Sequence, residues 1–133
     1  MGLIIDSSLL IADERRRFNL SSWLRGRPPE PVAVSAITLS EIWFGIEGES
    51  DAARGKRRRR WQEKTFRRFE IVPLDAAVAR VHARIWLQLS DAGLMIGPHD
   101  LIIAATAAHR RWAVATFNAI EFRHVRGLAV VEP

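Results

Sequence analysis

Acidic residues follow the apolar runs of this chain at several points. Asp6 comes directly after the run at 2–5, and Glu41 comes soon after the run at 32–35. Asp100 opens an apolar segment whose composition is typical of a buried helix. Because the carboxyl ends of parallel strands meet at one edge of a sheet, we expect these side chains to gather there. Grouped carboxylates repel one another unless protons or a cation neutralise them.

A bound divalent cation would explain why these carboxylates are grouped. Mg²⁺ prefers oxygen ligands and is usually held by one or two carboxylates, waters and phosphate oxygens. Such an ion can polarise a phosphodiester, activate a water molecule and stabilise the leaving oxygen. The positions of the acids therefore favour a Mg²⁺ site that acts on a phosphate-containing substrate.

The stretch "ATFNAIEF" at 115–122 adds polar groups to the same edge. It ends the apolar run at 112–116 and contains Thr116, Asn118 and Glu121. Asn118 could equally be an ordinary turn residue, and Glu121 could be a solvated helix residue. The case for a site depends on the shared position of these residues, since none of them is diagnostic alone.

The acids in the earlier segments also have purely structural explanations. Asp6 could cap the helix that follows it. Thr38 and Glu41 have the spacing of a capping box, in which the glutamate accepts a hydrogen bond from the N–H of the threonine. Asp100 could simply favour the positive end of a helix dipole. These alternatives stay open at the level of sequence.

The chain alternates between predicted strands and predicted helices. We predict strands at 2–5, 32–35, 71–74, 112–116 and 128–133. Helices are predicted at 7–17, 18–26, 38–48, within 49–70, and at 75–92 and 98–111, with a turn or short helix at 118–124. This order favours an α/β fold with a mainly parallel sheet of four or five strands covered on both faces. We expect residues 1–133 to form a single domain.

The composition narrows the class of partner. The chain has 133 residues, 20 of them Lys or Arg against 15 Asp or Glu, and its net charge is +5. The basic residues cluster at 15–17, 56–60, 67–68 and 110–111, which favours nucleic acid as a partner. Solvated helix faces or an acidic protein partner would explain these clusters as well. The absence of cysteine excludes disulfides and thiolate sites and fits a cytoplasmic protein, and no apolar run has the length of a membrane span.

Four segments together resemble a known family. "LIIDSS", "SAITLSEIWFGI", "PHDLIIAATAAHR" and "VATFNAIEF" are similar to the four motifs of the PIN domain, with the spacing of the VapC toxins of bacterial toxin–antitoxin pairs. The resemblance implies a three-layer α/β/α sandwich and a Mg²⁺- or Mn²⁺-dependent endoribonuclease. It also implies an RNA substrate, a homodimer and a cognate antitoxin that blocks the active site.

The resemblance assigns roles by position. It implies metal-binding carboxylates at Asp6, Glu41 and Asp100, and supporting hydroxyl groups at Ser8 and Thr116. In the fourth motif, Phe117 stands where arginine is common and Glu121 stands where aspartate is usual. The implied catalytic set is Asp6, Glu41, Asp100, Asn118 and Glu121.

Three further expectations follow from the residues. The unusual fourth motif is compatible with a catalytically weak or inactive domain that only binds RNA or protein. His99, at a helix start, is more typical of a structural histidine than of a phosphate contact. The apolar helices at 75–91 and 98–111 are candidate surfaces for dimer packing.

Overall fold

Strands and helices alternate along the chain, as the sequence predicts. In the computed structural model, which describes all 133 residues, the order is β1 (Leu3–Ile5), α1 (Ser7–Glu14), α2 (Leu20–Arg25), β2 (Val32–Ser35), α3 (Ala36–Glu47), α4 (Ala52–Phe66), β3 (Glu70–Val72), α5 (Ala76–Ala92), α6 (Pro98–Arg110), β4 (Ala113–Ala115), α7 (Ala119–Phe122) and β5 (Val130–Val131). Strand β2 has the predicted bounds, and the other strands are shorter than predicted because the apolar runs extend into the adjoining turns.

The strands form one parallel sheet in the order β3-β2-β1-β4-β5. The central strand β1 pairs with β2 on one side and β4 on the other. Every connection between parallel strands needs a crossover, and each crossover here contains at least one helix. All five carboxyl ends therefore lie at the same edge of the sheet.

Helices cover both faces of the sheet. Alternate β1 residues point to opposite faces, so Ile4 packs into one apolar core and Leu3 and Ile5 pack into the other. The first core is completed mainly by α5 and α6, and the second by α1 to α4. This is the three-layer α/β/α arrangement that the resemblance implies.

Helix α6 is more deeply buried than a dimer surface would be. Its middle is fully enclosed from Ile103 to Ala107, and small alanine side chains let it lie close to the sheet and to α5. The buried middle of α6 cannot contribute to a dimer surface, whereas α5 keeps Trp86 and Leu87 exposed. Dimer packing on these helices stays a prediction. No helix combines the length and the apolar character needed to cross a membrane.

Candidate active site

The register of two neighbouring strands brings Asp6 and Thr116 together. Ile5 of β1 pairs with Ala115 of β4, so the next residue of each strand leaves the sheet edge at the same level. The backbone N–H of Asp6 continues the ladder by donating to the carbonyl of Ala115 at 3.0 Å. The start of the site is thus fixed by strand pairing.

Two hydroxyl groups hold the Asp6 carboxylate. Thr116 Oγ1 donates to Asp6 Oδ2 at 2.7 Å, and Ser8 Oγ donates to the same oxygen at 2.8 Å. The Asp6 residue is only 3% exposed, so these bonds replace most of the water that an exposed carboxylate would bind. Asp6 occupies the N-cap position of α1, but its side chain makes no capping hydrogen bond. The structure therefore does not support capping as the explanation for this residue.

Backbone N–H groups orient the two hydroxyls. Ser8 Oγ accepts from the N–H of Phe117 at 3.0 Å, and Thr116 Oγ1 accepts from the N–H of Asn118 at 2.8 Å. Because each oxygen accepts from the backbone, its own hydrogen is free to point at Asp6. The chain after β4 is thereby fastened to the start of α1.

The capping-box explanation for Glu41 is wrong. Helix α3 begins at Ala36, where Ser35 is the N-cap and its side chain accepts from the N–H of Ile37 at 3.3 Å. Ser35 ends strand β2 and caps α3 at once, so the helix starts earlier than the Thr38 cap would require. Glu41 then lies beyond the first turn.

Glu41 instead faces the other acids. Its Oε1 is buried without a hydrogen-bond partner, and its Oε2 lies 3.7 Å from Nδ1 of His99. Burial raises the pKa of Glu41, His99 opposes this rise, and the charge of Asp6 adds to it. The side chain is therefore a carboxylate with an unused acceptor atom beside other negative charge.

Asp100 has the most strongly perturbed pKa at this edge. It lies in the first turn of α6, where Pro98 begins the helix, as predicted. Burial, a hydrogen bond with Glu121, and the charges of Asp6, Glu121 and Glu41 raise its pKa to about 7. A residue present only to stabilise a helix dipole would have its charged form favoured, which would lower its pKa.

Glu121 reaches the group through its longer side chain. It lies in the short helix α7, where its side chain is close enough to Asp100 to help raise the pKa of that carboxyl. The structure thus brings together Asp6, Glu41, Asp100 and Glu121, which we call the acidic cluster. Asn118 is exposed at the N-cap of α7, and its side chain makes no capping hydrogen bond.

The acidic cluster has the chemistry of a divalent-cation site. As they stand, no three side chains among the acidic cluster and His99 are arranged to hold one metal ion. Mg²⁺ needs only one or two carboxylates and completes its shell with waters and phosphate oxygens. Carboxylates that lie close together without a positive charge between them have raised pKa values, as Asp100 does. Glu41 also has a buried oxygen without a hydrogen-bond partner. The residues therefore fit such an ion.

Sequence reasoning missed two contacts of this site. His99 was expected to be structural, yet it is exposed and faces Glu41. Ser7, which the sequence analysis did not single out, also contacts the site, since its Oγ donates to Asp6 Oδ1 at 3.5 Å. The signal for His99 was its position next to Asp100, but nothing in the sequence separates such a histidine from an ordinary one.

Comparison with known proteins gives the same family as the motifs. The model of the PIN domain matches residues 3–128. Ribonuclease VapC1 of Rickettsia felis is 30% identical over 131 residues, covering 98% of this chain and 96% of its own. The tRNA(fMet)-specific endonuclease VapC of Shigella flexneri is 32% identical over 88% of this chain and 81% of its own.

A solved structure agrees with these sequences. VapBC-5 of Mycobacterium tuberculosis, a member of the VapBC family of toxin–antitoxin systems, superposes with a TM-score of 0.76 at 28% identity. The superposition covers 98% of this chain and 96% of that one. The fold, the order of the motifs and relatives that match nearly end to end lead to one assignment: this chain belongs to the PIN-domain family, in its VapC group.

Proposed function

We propose that this chain is a divalent-metal-dependent endoribonuclease and the toxin of a toxin–antitoxin pair. The relatives named as ribonucleases support the reaction class. The observation that carries the metal dependence is the acidic cluster, in which carboxylates from the end of β1 and from α3, α6 and α7 meet at one edge of the sheet. Mg²⁺ is the expected ion, and Mn²⁺ would serve as a substitute.

The metal would be held by Asp6, Asp100 and Glu41. When bound, the ion would supply charge neutralisation at the scissile phosphate and a lowered pKa for a bound water. Asp6 is already oriented by Ser8 and Thr116. Outer partners of this kind keep a ligand in place and tune its affinity for metal.

The remaining side chains would handle substrate and charge. The raised pKa of Asp100 would leave this carboxyl partly protonated near pH 7 without a cation, and that proton would leave as the cation binds. His99, exposed beside Glu41, is placed to contact a phosphate oxygen. Asn118, exposed just after Thr116, is placed as a further hydrogen-bond donor for the RNA backbone.

RNA is the substrate that the charge distribution supports. The net charge of +5 would attract a polyanion to the molecule, while the acidic cluster would hold the cation that the reaction needs. Because a relative is named as a tRNA(fMet)-specific endonuclease, tRNA is the first substrate to test on this chain.

We further propose two protein partners. A cognate antitoxin would inhibit the enzyme, as the toxin–antitoxin assignment of the VapBC-5 structure suggests. A second copy of this chain would pack on α5, which exposes Trp86 and Leu87, and on the segment after it, which exposes Leu94 and Met95. Light scattering on the purified protein should give twice the monomer mass, and Leu87→Glu should reduce it to the monomer mass.

The activity is tested by incubating the purified chain, freed of bound partner, with mixed tRNA and rRNA. Cleavage in Mg²⁺ and none in EDTA is the expected result, with Asp100→Asn inactive under both conditions. RNA binding without cleavage by any preparation would contradict the nuclease and favour a domain that only binds RNA.

A further inference from the structure

Phe117 carries an exposed aromatic ring and directly follows Thr116, which hydrogen-bonds to Asp6 of the acidic cluster. Thr116 is fully buried and Phe117 is 43% exposed, as expected for neighbours on opposite faces of an extended segment. The N–H of Phe117 donates to Ser8 Oγ, and Ser8 Oγ donates to Asp6. The backbone of Phe117 is therefore linked to the carboxylate of Asp6 through a single side chain, that of Ser8.

Other aromatic rings support Phe117. Phe18 contacts it edge-to-face, with ring centroids 5.1 Å apart and planes at 80°. Phe18 in turn packs against Trp23 at 6.0 Å, and the guanidinium of Arg27 lies 5.0 Å from the Trp23 ring centre. A ring supported in this way loses little additional freedom when a flat ligand stacks on its exposed side.

Basic residues continue the same surface. Arg15, Arg16 and Arg17 directly precede Phe18, all are exposed, and none of them forms an ion pair. Arg16 has a φ of +57°, so the chain turns sharply here. A surface cavity of about 510 Å³ is lined by Asp13, Arg16, Arg17, Phe18 and Asn19.

We propose that this surface binds single-stranded RNA next to the scissile bond. One base stacks on Phe117, and the adjoining phosphates contact Arg16 and Arg17. Single-stranded RNA is commonly held by stacking on aromatic side chains and by cationic contacts to the backbone. The inference rests on the proposed function, and it names Phe117 as a residue that selects unpaired over paired nucleotides at the cleavage site.

The stacking is tested by fluorescence in EDTA, where no cleavage occurs. The probe is a single-stranded oligouridylate of about 12 nucleotides with one central 2-aminopurine, whose emission falls when the base stacks. Phe117→Leu keeps an apolar side chain without an aromatic face, and it should weaken binding by about 5- to 100-fold and abolish the quenching. Phe117→Trp should retain both. Equal binding and quenching by the leucine variant would overturn the proposal.

The phosphate contacts are tested by salt dependence. Replacing both Arg16 and Arg17 by Ala should reduce the slope of log K against log salt by about 0.7 per lost phosphate contact. The 2-aminopurine quenching at saturation should remain, because Phe117 is intact. An unchanged slope would remove these arginines from the RNA path.

Cleavage assays separate this inference from the proposed function. If wild type cleaves RNA in Mg²⁺ and Phe117→Leu cleaves single-stranded and paired sites as wild type does, the nuclease stands and the inference fails. If wild type cleaves nothing but quenches 2-aminopurine through Phe117, the nuclease fails and the binding surface stands. Thermal unfolding of the leucine variant, expected to be close to wild type, guards against misfolding.

Discussion

The acidic cluster and the basic helix α4 both concentrate charge of one sign, but their surroundings differ. On α4, most of the basic side chains are exposed to water, and several of the arginines have acidic partners. Arg58 pairs with Glu14 at 3.0 Å and Arg54 with Glu49 at 3.2 Å. In the acidic cluster, one buried and three half-buried carboxylates face one another instead, and only the exposed His99 lies opposite Glu41.

This difference separates charge that needs only solvent from charge that needs a ligand. Exposed like charges are screened by water and salt and cost little. Half-buried like charges raise their own pKa values, as Asp100 shows, and persist where a counter-ion or a reaction makes use of them. The basic run on α4 is conspicuous in the sequence, but it says less about function than the acidic cluster does.

Asp100→Asn should give the largest effect. Loss of this ligand should reduce RNA cleavage by more than about 100-fold, since changes to outer partners alone usually cost 10- to 100-fold. The thermal midpoint of the metal-free variant should rise, because one source of repulsion is removed. Single-turnover cleavage and calorimetric unfolding measure the two effects. Asp91→Asn, an exposed site on α5, is the matched control and should change neither.

Thr116→Val should give a smaller loss by the same mechanism. It removes the hydroxyl that donates to Asp6 while keeping the shape of the side chain, and should lower Mg²⁺ affinity by about 10- to 100-fold. Thr116→Ser keeps the hydroxyl and should restore most of that affinity. If both variants bind metal equally, the hydrogen bond to Asp6 has no role in the site.

The next effect is on the pH dependence of stability, which should come from the acidic cluster and not from α4. The pKa of Asp100 is about 7 in the folded protein and near its ordinary value of 3.8 in the unfolded chain. The folded state therefore binds more protons between these values, so stability is greatest below about pH 4 for this group and is lost as pH rises toward 7. In EDTA, the unfolding midpoint should fall by several degrees from about pH 5 to 8, on the scale of 2–8 °C per kcal/mol.

Asp100→Asn isolates the contribution of this group from that of every other residue in the chain. The variant should show a flatter pH profile than wild type, and saturating Mg²⁺ should flatten the wild-type profile as well. Identical profiles for wild type and variant in EDTA would contradict the repulsion that we ascribe to the acidic cluster.

Arg59→Ala on α4 should have the smallest effect. Arg59 lies 3.8 Å from Glu47, and both side chains are largely exposed. Pairs of this kind contribute about 0–1 kcal/mol, so the free energy of unfolding should change by less than about 0.5 kcal/mol and metal binding should not change. A loss in metal affinity comparable to that of Thr116→Val would mean that α4 belongs to the site.

The sequence predicted the architecture because local signals carried it. Short apolar runs separated by amphipathic segments specify a parallel sheet, and the residue after each run must lie at the carboxyl edge. That reasoning placed Asp6 at this edge, whereas Asp100 joins it from the first turn of α6. It failed for the start of α3, because Ser35 both ends β2 and caps the helix, and the sequence gives no means of choosing between two possible caps.

The contacts that define the site could not be predicted from local sequence patterns. The hydrogen bonds from Ser8 and Thr116 to Asp6 depend on strand register, and the contact between Phe18 and Phe117 depends on where two distant turns meet. Pattern and propensity report on neighbours along the chain, whereas these contacts arise from pairing across the sheet. The raised pKa of Asp100 belongs to the same class, since its causes come from several separate elements.

Calorimetric titration of the metal-free chain with Mg²⁺ tests the central claim most directly. Run near pH 6.5 in two buffers of different ionisation enthalpy, it measures both metal binding and the protons released. We predict binding with release of a substantial fraction of one proton, little release at pH 8.5, and neither effect with Asp100→Asn. No binding, or binding that Asp100→Asn leaves unchanged, would contradict the assignment of the acidic cluster as the metal centre.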